Sequence, residues 1–405
     1  MTRVGILSVG DELLAGDLLD TNQHWLAQEL ASRGHKLICT ACVGDNVQAI
    51  RQALERAAED CELLLITGGL GPTQDDLTRD GVAAAFETEL VEFSEYLGQA
   101  QGPHAKLSEG SRRQASFPMG ATVLENARGT APGFEIGGVV GAHPELRVAC
   151  FPGVPLELRP MVSAFLDSLG GGTGVAARKL MCSGVSESTV AEVLGELMRR
   201  ERSHCVVGVT ASLGVLTVTM RGDDEDAVFA TFLAARERLG EAVFSSGEAS
   251  HAEVVVKQLL ERGLLVSTAE SCTGGLLAGA LTSVPGSSAA IREALVVYSD
   301  EAKVQRLGIP EQLIAEHGVV SEPVAAAMAE AQRVNSGADV AISITGIAGP
   351  EGGSVDQPVG TVVFGLATAD DTLVRSEQWR GGREAIRMRS VTYALEMLRR
   401  LFLRS

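Results

Sequence analysis

The chain of 405 residues carries 34 Lys and Arg against 52 Asp and Glu, a formal net charge of −18. That acidity argues against a broad surface for nucleic-acid backbones, and a hydrophobic content of 45% excludes wholesale disorder. No apolar run approaches the roughly 18–20 residues that span a bilayer, and the first residues lack the pattern of a secretory signal. The expectation is a cytoplasmic chain of about two to four domains, free of membrane and nucleic-acid partners.

The first region runs to about residue 170. A short apolar strand is predicted over 4–9, followed by a Gly-Asp turn. Thr21 or Asn22 is placed to cap a helix with Trp25, Leu26 and Leu30 on one face. A strand is predicted over 37–43. Asp45 and Gln48 have capping-box spacing ahead of Ile50, Leu54 and Ala58. A buried strand over 63–67 ends in a glycine-rich loop, and a late strand covers 147–151. This rhythm predicts a parallel sheet wrapped by helices. Of the seven cysteines, Cys39 and Cys42 form a CxxC, but in a strand residues three apart face opposite sides. They are expected to be reduced, buried structural thiols rather than a metal or redox pair.

The glycine run at 170–174 reads as a linker. A small α+β module follows over 175–248, with strands near 178–183, 206–210 and 214–221 and helices near 188–200 and 226–239. It holds 8 Lys and Arg against 11 Asp and Glu, which speaks against RNA binding. The last region, 249–405, is a second α/β unit. Helices are predicted over 251–262, from 274, near 300–307, 310–317 and 322–336, and over 383–401. Strands are predicted over 264–268, 293–298, 338–345, 360–368 and 372–379.

Two constellations carry chemistry. In the first, the loops at 9–12, 67–76 and 126–133 gather at strand ends, where open α/β sheets bind ligands. Glycines let backbone amides approach a phosphate closely. Asp75 and Asp76 beside such a loop call for a bridging cation of the Mg²⁺ type, and metal-assisted attack of water on a diphosphate follows. The competing role for the two acids is to cap the next helix. The strings GDELLxGxxxDTN (10–22), VGDN (43–46), TGGLGPTQDDLTRD (67–80), NxxGTAPGF (126–134) and PGVPLEL (152–158) resemble the molybdopterin-binding-like domain of the CinA family (competence/damage-inducible protein A). The resemblance implies an ADP-ribose pyrophosphatase that needs a divalent metal ion, Mg-type or transition metal. On it, Asp75 and Asp76 become the catalytic acids and, with Glu12, the metal ligands. Asp45 is a further candidate. Gly68, Gly69, Gly71, Thr73, Gly129, Thr130 and Gly133 become the ligand-holding positions.

In the second, Ser271 sits in a strand-to-helix turn whose following amides are expected to form an oxyanion hole. A serine needs a base, and the neighbourhood offers Lys303, whose pKa falls if it is desolvated, with Tyr298 relaying a proton or positioning it. Cys272 is the rival nucleophile. The simpler alternatives are a helix N-cap for Ser271 and a solvated charge for Lys303. AESCTGG (269–275), PGSS (285–288), VxYSDEAKxxxLG (296–308), HGVVSEPVAxxMA (317–329) and TGIAGPEGG with QPVGTV (345–362) resemble the C-terminal CinA domain, which is similar to nicotinamide-nucleotide amidases.

The resemblance implies hydrolysis of nicotinamide mononucleotide to nicotinic acid mononucleotide and ammonia, with no cofactor. Thr273, Gly274, Thr345, Gly346, Gly349 and Arg383 then bind substrate, Thr345 as a hydroxyl donor and Arg383 or Arg387 as a phosphate partner. Gln357 stands where the family often has lysine, and Arg292-Glu293-Ala294 where it usually has glycine. The fold expected is α/β: two three-layer αβα domains, 1–170 and 249–405, joined by a small KH-like α+β domain over 175–248, in a homodimer. The alternative function is a nucleotide- or pterin-binding regulatory protein.

Overall fold

The computed structural model describes residues 2–96, 109–141, 143–170, 176–199 and 205–403, and the chain divides into two compact units, Met1–Ala176 and Ala177–Ser405. Beyond Gly170, the predicted linker lies outside the described residues.

The first unit opens with β1 (Arg3–Val9), α1 (Asp11–Ala15), α2 (Thr21–Ser32), β2 (Lys36–Val43), α3 (Val47–Asp60), β3 (Leu63–Thr67) and α4 (Thr78–Ala85). It continues with β4 (Leu90–Glu92), α5 (Glu109–Gln114), β5 (Ser116–Pro118), β6 (Thr122–Leu124), β7 (Gly133–Val140), β8 (His143–Phe151) and α6 (Pro155–Leu169). Its main sheet has the order β2-β1-β3-β8-β7-β6. The first four strands are parallel, and β7 runs antiparallel between β8 and β6, so the sheet is mixed rather than the parallel one expected. Alternation along β1 sends Leu7 and Val9 toward Ile50 and Leu54 of α3. It sends Val4 and Ile6 toward Leu26 and Leu30 of α2 and Val162 of α6. Two cores on two faces make the expected three-layer sandwich.

Local chemistry moved two helix starts. Asp20 caps α2 by accepting from the Gln23 amide, which leaves Asn22 inside the helix. Asn46, not Asp45, caps α3, accepting from the amides of Gln48 and Ala49. Cys39 and Cys42 are exposed, against expectation, because β2 is an edge strand. The nearest sulfur to Cys39 is that of buried Cys61, 3.6 Å away.

The second unit begins with β9 (Ala176–Ser183), α7 (Glu187–Leu194), β10 (Cys205–Ser212), β11 (Val215–Gly222), α8 (Glu225–Leu239) and β12 (Val243–Ser245). These form a four-stranded sheet, β10-β11-β9-β12, whose β10/β11 and β12/β9 pairs are antiparallel. Val190, Leu194, Val228, Phe232 and Ala235 of the two helices are buried.

There follow α9 (His251–Arg262), β13 (Val266–Glu270), α10 (Leu276–Thr282), β14 (Ile291–Val296), α11 (Asp300–Ala302) with a π-turn over Lys303–Leu307, α12 (Glu311–His317) and α13 (Glu322–Ser336). The unit ends with β15 (Val340–Gly346), β16 (Thr361–Ala367), β17 (Thr372–Gln378) and α14 (Arg383–Leu401). The five-stranded sheet runs β14-β13-β15-β16-β17, with its first three strands parallel. Leu259, Leu277, Leu395 and Leu398 pack on one face with Ile342, Ile344 and Phe364. Val324 and Met328 of α13 pack with Ala269 on the other.

One buried carboxylate joins the two sheets of this unit. Glu396 of α14 accepts from Ser183 Oγ at the end of β9, from His251 Nε2 of α9 at 3.1 Å, and from Arg399 and Arg400. Arg399 also donates to the Glu241 carbonyl. Burial opposes the charge on Glu396, but hydrogen bonds from Arg399, His251 and Ser183 outweigh it and hold the carboxyl well below the usual range. Among the described residues no helix is long and apolar enough to cross a membrane.

Candidate functional site

Each unit brings its predicted constellation to the carboxyl ends of parallel strands. In the first unit the loops after β1, β3 and β8 enclose a cavity of about 730 Å³. Gly68, Gly69, Gly71, Thr73, Thr130, Glu12, Asp45, Asp75 and Asp76 all line it. The loop is shaped by its backbone: Gly69 has a φ of +63°, and a Cβ there would strike Thr78 Oγ1. Thr78 Oγ1 in turn donates to the Gly68 carbonyl at 2.8 Å.

Two of the predicted ligand-holding glycines, Gly129 and Gly133, are not among the residues lining the cavity. Gly129 lies against the Glu157 carboxylate, and Gly133 lies against the Cys150 carbonyl inside the sheet, where a Cβ does not fit. Asp76 is a brace: its carboxylate accepts from the amides of Gly71 at 2.7 Å and Thr73 at 2.8 Å, and from the Thr73 hydroxyl. Its oxygens therefore shape the loop. Asp75 is exposed, and a hydrogen bond from Thr73 lowers its pKa, so it stays ionised. Asp45 and Asp11 each accept from the other's amide, at 3.0 and 3.2 Å. Burial raises the Asp45 pKa, and the charges of Asp11, Glu12 and Asp75 add to the rise, against the bond from the Asp11 amide. Asn22, a residue sequence reasoning took only for a cap, donates to the Gly153 carbonyl at 2.6 Å and to Thr67 Oγ1 at 3.3 Å, stitching three loops together.

The donor chemistry of this cavity fits a cation that arrives with an anionic ligand. Among the described lining residues there are six carboxylates and no Lys or Arg. Among the described residues no group of three or more His, Cys, Asp or Glu side chains is poised to hold an ion unaided. Mg²⁺-type ions take one or two carboxylates and complete their shell with phosphate oxygens and water.

In the second unit, 32 residues of separation close to a contact. Lys303 Nζ donates to Ser271 Oγ at 3.2 Å. The lysine is 1% exposed and the serine 8%. Burial lowers the Lys303 pKa, against the opposing pull of Asp300, 3.9 Å away, and of Cys272. Neither simpler alternative applies. Lys303 is not solvated, and α10 begins after Gly275 with no side-chain cap. Gly274, at a φ of +61°, makes the turn that sets Ser271 against the lysine.

Glu270, which the sequence reading passed over, organises this turn. It is fully buried, and its carboxylate accepts from the amides of Gly275 at 3.0 Å, Leu277 at 3.1 Å and Ala278 at 2.8 Å. Those amides, expected as oxyanion donors, are thus already occupied. Its position inside AESCTGG was the only available signal. Arg387 is a second brace: it donates to the carbonyls of Cys272 at 3.1 Å and Thr273 at 2.7 Å. Thr273 is fully buried and its hydroxyl has no hydrogen-bond partner.

Thr345 is 1% exposed and donates to the Val319 carbonyl at 2.9 Å, so its hydroxyl serves the loop rather than a ligand. Gln357, where the family often has lysine, donates to the next carbonyl, Val320, at 2.8 Å. Arg292 donates to the Ser336 carbonyl at 3.1 Å. Gly346 and Gly349 begin the loop after β15 as expected. Arg383 links that loop to Tyr298, donating to the Gly349 carbonyl at 2.7 Å and to the Tyr298 hydroxyl at 2.8 Å. Tyr298 is 58% exposed and engaged with Arg383, which suits the rim of a binding site better than a relay to Lys303.

Cys272 is buried and its thiol is pushed up to about 11 by that burial. At neutral pH it stays protonated and is a poor nucleophile. Cys272→Ala should therefore keep any turnover at this site within about threefold of wild type, and iodoacetamide should not inhibit the wild type. Steady-state assays of both check this.

Residues 5–170 match the family model described as "Probable molybdopterin binding domain", and residues 248–402 match "CinA C-terminal domain". A CinA-like protein from Parasynechococcus marenigrum (strain WH8102) is 41% identical over 420 residues, covering 99% of this chain and 98% of its own. A CinA-like protein from Synechococcus sp. (strain CC9902) is 40% identical over 418 residues, covering 98% of each. The crystal structure of a competence/damage inducible protein, CihA, from Agrobacterium tumefaciens is 39% identical, covering 38% of this chain and 97% of its own with a TM-score of 0.36.

Proposed function

This chain belongs to the CinA family of competence/damage-inducible proteins, and from that membership we propose that it is a two-site hydrolase of pyridine nucleotides. The C-terminal site deamidates nicotinamide mononucleotide, and the N-terminal site splits ADP-ribose into AMP and ribose 5-phosphate. The observation that carries the first assignment is the buried contact between Ser271 Oγ and Lys303 Nζ at 3.2 Å.

A lysine with a lowered pKa accepts the hydroxyl proton as Ser271 Oγ attacks the carboxamide carbon. The carbon–nitrogen bond then breaks, and Lys303 returns the proton to the departing nitrogen, which leaves as ammonia. Water attacks the resulting ester while Lys303 again takes a proton. Nicotinic acid mononucleotide leaves and the proton goes back to Ser271. Glu270 and Arg387 act as positioning residues, holding the turn from its amide and carbonyl sides. Tyr298 and Arg383 form the rim that receives the nucleotide. Incubation of the purified chain with nicotinamide mononucleotide, with ammonia followed, tests this; no release by wild type would sink it.

At the N-terminal site Asp75, with Glu12, would hold a divalent cation, which when bound supplies charge neutralisation to the diphosphate and acidifies a water. The backbone of Gly68, Gly69 and Gly71 receives the phosphates, and Asp76 keeps that loop in shape. Asp75→Asn should cut ADP-ribose hydrolysis by about a hundredfold or more. Asp76→Asn should also weaken substrate binding, by loosening the loop. A chelator should abolish turnover in wild type, and AMP measured by chromatography reads all three. A second reading, a pterin-binding regulatory domain, is favoured by the match of 5–170 to the molybdopterin-binding model. Calorimetry with a pterin and with ADP-ribose separates the two. The four-stranded module serves as a KH-like spacer in a homodimer, with no role in nucleic-acid binding.

A further inference from the structure

A buried cation lies beneath the N-terminal glycine loop. Arg79, in the first turn of α4, is 1% exposed. Its Nη2 donates to the Leu70 carbonyl at 3.0 Å, inside the loop that lines the cavity. Its Cζ lies 5.5 Å from the centre of the Phe117 ring. Nε and Nη1 have no hydrogen-bond partner, and no ion pair to Arg79 is found among the described residues. The charged and titratable groups facing it are Cys150 from β8, Asp76 from the loop, Asp80 from its own helix and Arg113 from α5. Both carboxylates favour its charge from a distance, but neither forms an ion pair with it, and the Asp76 oxygens accept from Gly71 and Thr73.

An isolated buried charge is costly unless something compensates it. The charged side chains in the cavity wall above are all carboxylates, yet the ligand proposed for it is an anion.

We propose that Arg79 is a positioning residue of the anion site: it holds the 68–73 loop through the Leu70 carbonyl, and its charge, which no direct ion pair neutralises, attracts the phosphates of the bound ligand across that loop. The ligand class is a diphosphate, and the assignment rests on the N-terminal reading above. It explains how a cavity lined by acids receives an anion with one cation beneath the loop and a divalent ion in front of it. Burial lowers the Arg79 pKa to about 10, so the guanidinium stays charged near neutrality.

The test is calorimetric titration of the full chain with inorganic pyrophosphate and Mg²⁺, on wild type, Arg79→Met and Arg79→Lys. Arg79→Met should bind about tenfold more weakly or worse. Arg79→Lys should bind within about threefold of wild type near pH 7. A lysine in this burial loses its proton more readily than an arginine, so its affinity should fall relative to wild type between about pH 7 and pH 9. A role confined to loop shape would not produce that profile.

A folded Arg79→Met that binds like wild type overturns the inference, as does equal loss in both variants with no added pH dependence. Should Arg79→Met not fold, the Arg79→Lys profile decides. A wild type that binds no pyrophosphate overturns both the inference and the phosphate reading of the cavity. One that binds it through Arg79 but leaves ADP-ribose intact supports the inference and removes only the pyrophosphatase assignment.

Discussion

Replacing Ser271 by alanine should abolish ammonia release from nicotinamide mononucleotide, by about five orders of magnitude or more if the serine is the acyl carrier. Lys303→Met should cost about two to four orders, the usual worth of a general base. The two losses should not add, because one group acts only through the other. The lysine must be neutral to accept a proton, so kcat/KM should rise with pH as Lys303 is deprotonated. Burial already moves that limb below the ordinary lysine range, while Asp300 at 3.9 Å holds it back. Asp300→Asn should therefore move the limb to lower pH, a shift that a purely structural role for Asp300 would not produce.

Lys303→Met should also keep its melting temperature. Between the lowered folded pKa and the ordinary unfolded one, the unfolded chain binds a proton that the folded chain does not. Stability from this group thus rises with pH, and the variant escapes the cost of the charge below that window. Loss of activity with intact stability would mark the lysine as catalytic.

The second large effect is on folding. Glu396→Ala should destabilise the second unit by about 3–5 kcal/mol, the usual cost of removing one partner from a buried charged network. Arg399, only 4% exposed at its side chain, would be left buried without its carboxylate. Ser183 and His251 would lose their acceptor, so the four-stranded module should loosen from the five-stranded sheet. Hydrogen exchange in β9 and β12 would show this directly. The folded pKa of Glu396 is depressed. Its contribution is therefore present above the unfolded carboxyl value, near about 4.3, and disappears as pH falls through the folded value. A wild-type acid transition less steep than that of Glu396→Ala would contradict this.

Much of the backbone plan is legible in the chain. The α9 and α14 ranges and β3 follow from apolar periodicity and flanking breakers, because those signals lie within a few residues of one another. Cap identities are less legible. Asp20, Asn46 and their neighbours offer several side chains of similar capping strength, and the choice is made elsewhere: Asn22 is drawn inward to Gly153, and Asp45 pairs with Asp11.

The sites divide in the same way. The string AESCTGG marks a turn, but it does not distinguish a nucleophile from a cap, nor does it show that Glu270 consumes the amides behind the serine. For the GGLGPTQDD loop, the sequence shows two adjacent acids without showing that one braces the loop and the other faces solvent.

What the sequence by itself determined is the α/β class, many of the strands and helices (though not β4–β7 or β12), the family, and the types of residue available at several strand ends. Those follow from local patterning and from strings of residues close together in the chain. The tertiary structure alone decided which of those residues act together. Ser271 and Lys303 meet across 32 positions because β13 and the π-turn after α11 converge on one end of a sheet. Arg79 becomes a buried charge with no ion pair because α4 and Phe117 enclose it. Thr345, Gly133 and Arg387 are drawn into packing and hydrogen bonds that the sequence did not show. The physical reason is that desolvation and hydrogen-bond competition depend on every neighbour in three dimensions, and these fix both a lysine's basicity and an amide's availability.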